Sequence, residues 1–157
     1  MIRKKTACLL GTCLRIGSLL AGSSHEEAGT LYECGEKIGI SFQIKDDILD
    51  VFGESDVTGK QKGGDILRGK KNFLYVHTYN KLNSTDQKDF TTRYNKASKT
   101  GEINSILETY QSLLVEEYAQ KMQEYYLSQA MDSLNRLNIP NISKLKSFAR
   151  VLMSRDH

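Results

Sequence analysis

The segment from about His25 to Phe52 constrains this chain most. It holds no proline and ends in FQIKDDILDVF. Gln43, Asp46, Asp47 and Asp50 fall at i, i+3, i+4 and i+7, which is one face of an α-helix. In an ordinary core helix that face is apolar. Here it is acidic, while Ile40, Phe42, Ile44, Ile48, Leu49, Val51 and Phe52 occupy the other sides. A helix so apolar belongs inside a fold, and carboxylates carried inside need positive compensation. A hard divalent cation with oxygen ligands, Mg²⁺ above all, supplies it while holding a phosphorylated ligand. The competing reading is a solvated acidic face, which the flanking apolar residues argue against. An EF-hand loop is excluded, because its ligands alternate along a loop around a glycine rather than along a helix.

The rest of the chain also reads as helices. Residues 4–21 place Ala7, Leu10, Leu14, Gly17 and Leu20 at helical spacing, with Ala7, Gly11 and Gly17 as points of close helix packing. Gly22-Ser23-Ser24 breaks that helix, and Ser24 is the expected N-cap of the next, with Glu26 and Glu27 in its first turn. Gly29, Gly35 and Gly39 recur inside this second helix and predict a helix packed tightly against it. Residues 53–71 form a polar, glycine-rich loop. Helices follow from about Asn72 to Leu82 and, after N-capping character at Ser84-Thr85-Asp86-Gln87, to about Ala97. Thr100-Gly101 is a break. Residues 102–137 read as one long amphipathic segment, striped by Ile103, Ile106, Leu107, Tyr110, Leu113, Leu114 and Tyr118. A turn around Pro140 precedes a last helix carrying Leu145, Phe148, Ala149 and Leu152. The expected fold class is an all-α, antiparallel helical bundle forming one domain over residues 1–157.

Composition narrows the function. Twenty-two basic against 19 acidic residues give a net charge of +3, too mild to argue for nucleic acid or an anionic membrane. The basic start at Arg3-Lys4-Lys5 with Ala21-Gly22-Ser23 imitates a signal peptide, but Arg15 interrupts the apolar stretch. No apolar run reaches the roughly 18 residues a membrane span needs. Three cysteines, Cys8, Cys13 and Cys34, include no C-x-x-C pair, so reduced thiols in a cytoplasmic protein are expected. His25 and His77 have no metal partners at ligand spacing.

Basic residues and glycines follow the acidic helix: Gly59-Lys60, Gly63-Gly64-Asp65 and Lys70-Lys71. Glycines let backbone N–H groups approach an anion, and lysines add compact positive charge. The nearest Walker A match, Gly53 to Gly59-Lys60, fails on glycine spacing, on Gln61 and on the helix that precedes it. The order Phe42-Gln43, Asp46-Asp47, Asp50, Gly59-Lys60, Gly63-Gly64-Asp65 and Lys70, with Lys5-Thr6 opening the first helix, resembles the trans-type isoprenyl diphosphate synthases, or polyprenyl synthetases.

That resemblance implies a helical bundle with a central cavity in which an allylic diphosphate is joined to isopentenyl diphosphate. It implies Mg²⁺ as cofactor, held by Asp46 and Asp50, with Asp47 a ligand or a support behind them. Lys5, Lys60 and Lys70 would hold the departing diphosphate, and Thr6 and Gln43 would line the region of the allylic cation. The family's first Asp-rich motif has no counterpart here, and the FQ prefix and GK suffix mark the motif present as the second. The chain is therefore expected to correspond to the C-terminal half of a synthase, acting as a homodimer or with a complementing chain. Two alternatives stand beside this: a non-catalytic helical fragment or partner subunit, and another Mg²⁺–diphosphate enzyme such as a terpene cyclase, which the GK and GGD elements fit badly.

Overall fold

The computed structural model describes residues 2–53, 62–139 and 141–154. Its regular elements are all helical among the described residues. A π-helical turn, Arg3–Ala7, leads into α1 (Cys8–Leu20). There follow α2 (His25–Phe52), α3 (Gly64–Leu67), α4 (Phe73–Lys81), α5 (Ser84–Thr100), α6 (Asn104–Ser112), α7 (Val115–Arg136) and α8 (Ile142–Ser154). No described helix is long and apolar enough to cross a membrane. The chain divides into two compact units, one of Met1–Lys45 and Lys121–Arg155, the other chiefly of Asp46–Gln120.

Local chemistry sets the helix ends. Ser24 Oγ accepts from the Glu27 N–H at 3.2 Å, and the Glu27 carboxylate accepts from the Ser24 N–H at 2.8 Å, a reciprocal capping box for α2. Asn72 caps α4 by accepting from the Tyr75 N–H at 3.2 Å. The cap of α5 is Asn83, one residue before the predicted group; it accepts from the Thr85 and Asp86 N–H groups at 3.0 Å each. Gly101 ends α5 with φ 81°, a conformation that glycine takes at least cost.

In the first unit, α1, α2, α7 and α8 enclose Leu31, Cys34, Ile38, Ala130, Leu134 and Ala149. Burial pushes the Cys34 thiol up to about 11, so it behaves as a small apolar group. The other thiols, Cys8 and Cys13, are also free, half-buried and exposed respectively. Helices α1 and α2 meet through their small residues. A Cβ on Gly35 would lie 2.7 Å from the Gly11 Cα, and one on Gly39 would lie 2.6 Å from the Ala7 Cα. Gly17 and Gly29 do not share this role: a Cβ at either meets nothing within 4 Å. Leu20 is likewise outside the packed stripe of α1, at 84% exposure.

The second unit packs around aromatic rings. Tyr75 meets Tyr94 edge-on at 4.6 Å and Phe90 at 5.3 Å, with Val51, Ile66, Leu74 and Ile106 fully buried in the same unit. Residues 102–137 are not one helix. The chain breaks at Leu113–Leu114, where Leu114 adopts φ 50°. A β-carbon there costs roughly 1–2 kcal/mol in the left-handed region. The break buries Val115 completely and leaves Leu114 61% exposed. No glycine, asparagine or proline announces it, so periodicity alone ran through.

Candidate functional site

The acidic end of α2 is built into the second unit by the segment that follows it. Asp47 is buried, at 3% exposure, and its Oδ2 accepts from the Phe73 N–H at 2.9 Å, where α4 begins. A carboxylate suits the positive end of a helix. Asp50 is half-buried, and its Oδ2 accepts from the Asp65 N–H at 2.8 Å. Asp46 is exposed. The three aspartates of one motif thus stand in three environments.

Each residue of Gly63-Gly64-Asp65 has a distinct task. Gly63 takes φ 71° and donates its N–H to the Asp50 carbonyl at 2.6 Å. Gly64 leaves room: a Cβ there would sit 3.1 Å from both Asp50 Oδ1 and the Arg68 guanidinium. Asp65 is the hub. Its Oδ1 accepts from Lys70 Nζ at 2.7 Å and Arg68 Nη2 at 2.8 Å, and its Oδ2 from Asn72 Nδ2 at 3.5 Å. Tyr94 Oη donates to the Lys70 carbonyl at 2.6 Å, fixing the backbone of that lysine. The one-turn helix α3 therefore lies within the stretch expected to be loop, and it exists to place Asp65 and Arg68 against Asp50.

The charges are not equivalent. Burial raises the Asp50 pKa above the usual carboxylate value, and the Asp65 charge adds to this against the Asp65 N–H bond, Arg68 and Lys70. Burial also opposes ionisation of Asp65, but hydrogen bonds from Lys70 and Arg68 outweigh it and the pKa is lowered. The two therefore act oppositely on stability. The Asp65 contribution is full above the unfolded-state value near 3.8 and is lost as pH falls through the lower folded value. The wild type should lose part of its thermal stability on acidification below that value. Asp65→Asn should flatten that part of the profile, which unfolding midpoints across the acid range will read.

Lys5, Thr6 and Gln43 belong to the first unit. Thr6 Oγ1 donates to Gln43 Oε1 at 3.1 Å, so the structure brings that pair together. Lys5 is exposed in the π-helical turn. Lys70 lies beside Asp65 in the second unit, 45% exposed at its side chain and already paired. Lys60 lies outside the described residues. His77 stacks on Tyr118 at 3.7 Å, a packing role. Asp65 joins Asp50, Arg68 and Lys70 and stands outside the candidate residues named from the sequence, although the Gly63-Gly64-Asp65 motif contains it.

A hard cation fits this donor set on its chemistry: carboxylate oxygens only, one exposed and one held partly desolvated against its own charge. Among the described residues no group of three or more His, Cys, Asp or Glu side chains could enclose a metal ion. The aspartates could thus supply one side of a coordination shell, leaving the other positions to ligand oxygens or water.

The sequence model of the polyprenyl synthetase family matches residues 1–114. The chain is 38% identical over 109 residues to a short chain isoprenyl diphosphate synthase of Methanocaldococcus jannaschii, covering 69% of this chain and 33% of that protein. It is 30% identical to a geranylgeranyl diphosphate synthase of Methanosarcina mazei, covering 100% of this chain and 47% of that one. The solved geranylgeranyl pyrophosphate synthetase of Pyrococcus horikoshii superposes with TM-score 0.86 at 26% identity, over 99% of this chain and 47% of that structure. The chain therefore spans between a third and a half of the length of these relatives.

Proposed function

The chain belongs to the polyprenyl synthetase family, and from that premise we propose that it carries the second metal–diphosphate wall of an isoprenyl diphosphate synthase. The observation that carries this reading is the linked set Asp50, Asp65 and Lys70: a desolvated carboxylate, a carboxylate hub and a lysine, joined by bonds of 2.8 and 2.7 Å. In this proposal Asp46 and Asp50 hold Mg²⁺, and Asp47 fixes their helix to the start of α4. Bound Mg²⁺ would neutralise the diphosphate and make it a better leaving group. Lys5, Lys60 and Lys70 meet the charge of the departing diphosphate. Lys70 is held for this by Asp65 and by the anchor of its carbonyl on Tyr94. Thr6 and Gln43, hydrogen-bonded to each other, line the region where the allylic cation forms. The substrates are an allylic diphosphate and isopentenyl diphosphate, the working domain is residues 1–157, and the setting is the cytoplasm.

Catalysis by the chain itself requires a complementing surface, from a second copy or another chain. Leu9, Ile16 and Leu20, at 67, 52 and 84% exposure on α1, support such association. The 29% identity to heptaprenyl diphosphate synthase component 2 of Bacillus subtilis supports work with a complementing chain, and a partner subunit without turnover of its own is the second reading. Labelled isopentenyl diphosphate, an allylic diphosphate primer and Mg²⁺ decide between them. Incorporation by the purified chain that disappears in Asp46→Ala supports the synthase reading. Absence of incorporation at every chain concentration excludes catalysis by this chain alone and leaves it an incomplete synthase that needs another chain, or a partner subunit.

A further inference from the structure

Lys5 and Thr6 sit in a turn that an uninterrupted α-helix would not contain. Arg3–Ala7 is π-helical, closed by the Cys8 N–H on the Arg3 carbonyl. An extra residue in a turn rotates what precedes it by roughly 100° relative to a continuous α-helix. The wide turn therefore decides which of Lys4 and Lys5 takes a given direction. Such turns are rare in isolation and need support from outside the helix.

Glu36 supplies that support from α2. Its Oε1 accepts from Arg3 Nε at 2.8 Å, Tyr32 Oη at 3.1 Å and Cys8 Sγ at 3.3 Å. Its Oε2 accepts from Arg3 Nη2 at 3.1 Å. Arg3 opens the wide turn and Cys8 closes it, so one carboxylate holds both ends. Glu36 is only 9% exposed, a costly place for a charge unless its bonds do something the fold requires. Gly11 also meets Gly35, and Ala7 inside the wide turn meets Gly39, so the Glu36 bonds act beside close backbone packing at the same junction.

We propose that Glu36 is a positioning residue: its carboxylate clamps Arg3 to Cys8, maintains the wide turn and thereby fixes the direction of Lys5, on which its contact with a diphosphate depends. The last step rests on the reading of Lys5 given above, whereas the clamp does not. Amide hydrogen exchange tests the clamp, and calorimetric titration with inorganic pyrophosphate and Mg²⁺ tests the step to the ligand. Glu36→Gln should speed exchange of the Cys8 amide by about tenfold while the interior amides of α2 keep their protection. It should weaken pyrophosphate binding by about as much as Lys5→Ala, and the double variant should be no weaker than Lys5→Ala alone. Arg3→Lys, which keeps the charge and loses the fork, should show the same pattern if Glu36→Gln proves too unstable to measure. Unchanged exchange at Cys8 in both variants overturns the clamp. Unchanged pyrophosphate binding in Lys5→Ala overturns the assignment of Lys5 and with it the last step, while faster exchange in Glu36→Gln still upholds the clamp.

Discussion

Valine in place of Gly39 should cost this chain about 3 kcal/mol of stability, lowering the unfolding midpoint by roughly 10 °C. The Cβ alone would sit 2.6 Å from the Ala7 Cα and 3.1 Å from the Ala7 Cβ. Neither atom is the end of a flexible side chain, so the π-helical turn that leads into α1 must shift. The better helix propensity of the new residue offsets only a fraction of that cost. Alanine at Gly29 should do the reverse. Nothing lies within 4 Å of a Cβ there, so the substitution gains up to about 1 kcal/mol of helix propensity. Thermal unfolding of the two variants reads the opposite signs. A neutral Gly39→Val would mean that α1 and α2 do not pack through these small residues.

Asparagine in place of Asp50 should separate function from stability. The folded pKa of Asp50 is raised, first by burial, so its contribution to stability is present below the unfolded value and lost as pH rises through the folded value. At neutral pH its charge is a cost, which the neutral amide removes while keeping an acceptor for the Asp65 N–H. The unfolding midpoint should stay level or rise. Mg²⁺-dependent pyrophosphate binding should weaken at least about tenfold, because the proposed function makes Asp50 a charged oxygen ligand. A fall in stability with binding retained would assign Asp50 to the scaffold instead.

Much of this architecture is legible in the residues. The limits of α2 follow from Ser24 and from the helical spacing of its aspartates, and the stop at Gly101 carries its own chemistry. What escapes is whatever depends on another element. Gly17 and Gly29 look like Gly35 and Gly39 in sequence, yet only the latter pair faces a neighbouring helix. Leu114 takes a left-handed conformation because burying Val115 outweighs the local strain. The aspartates share one helix face, but spacing cannot say that Asp47 caps α4 while Asp46 stays exposed. Likewise Glu36 is an ordinary helical glutamate until Arg3, Cys8 and Tyr32 are seen to converge on it.

In the proposed function α2 and the Gly63-Gly64-Asp65 turn form a metal-dependent diphosphate wall. Calorimetric titration of the wild-type chain with inorganic pyrophosphate, with and without Mg²⁺, tests it most directly. Binding that requires Mg²⁺ and disappears in Asp46→Ala is the predicted result. Binding of equal strength without Mg²⁺, or no binding by the folded chain at millimolar pyrophosphate, would contradict the claim.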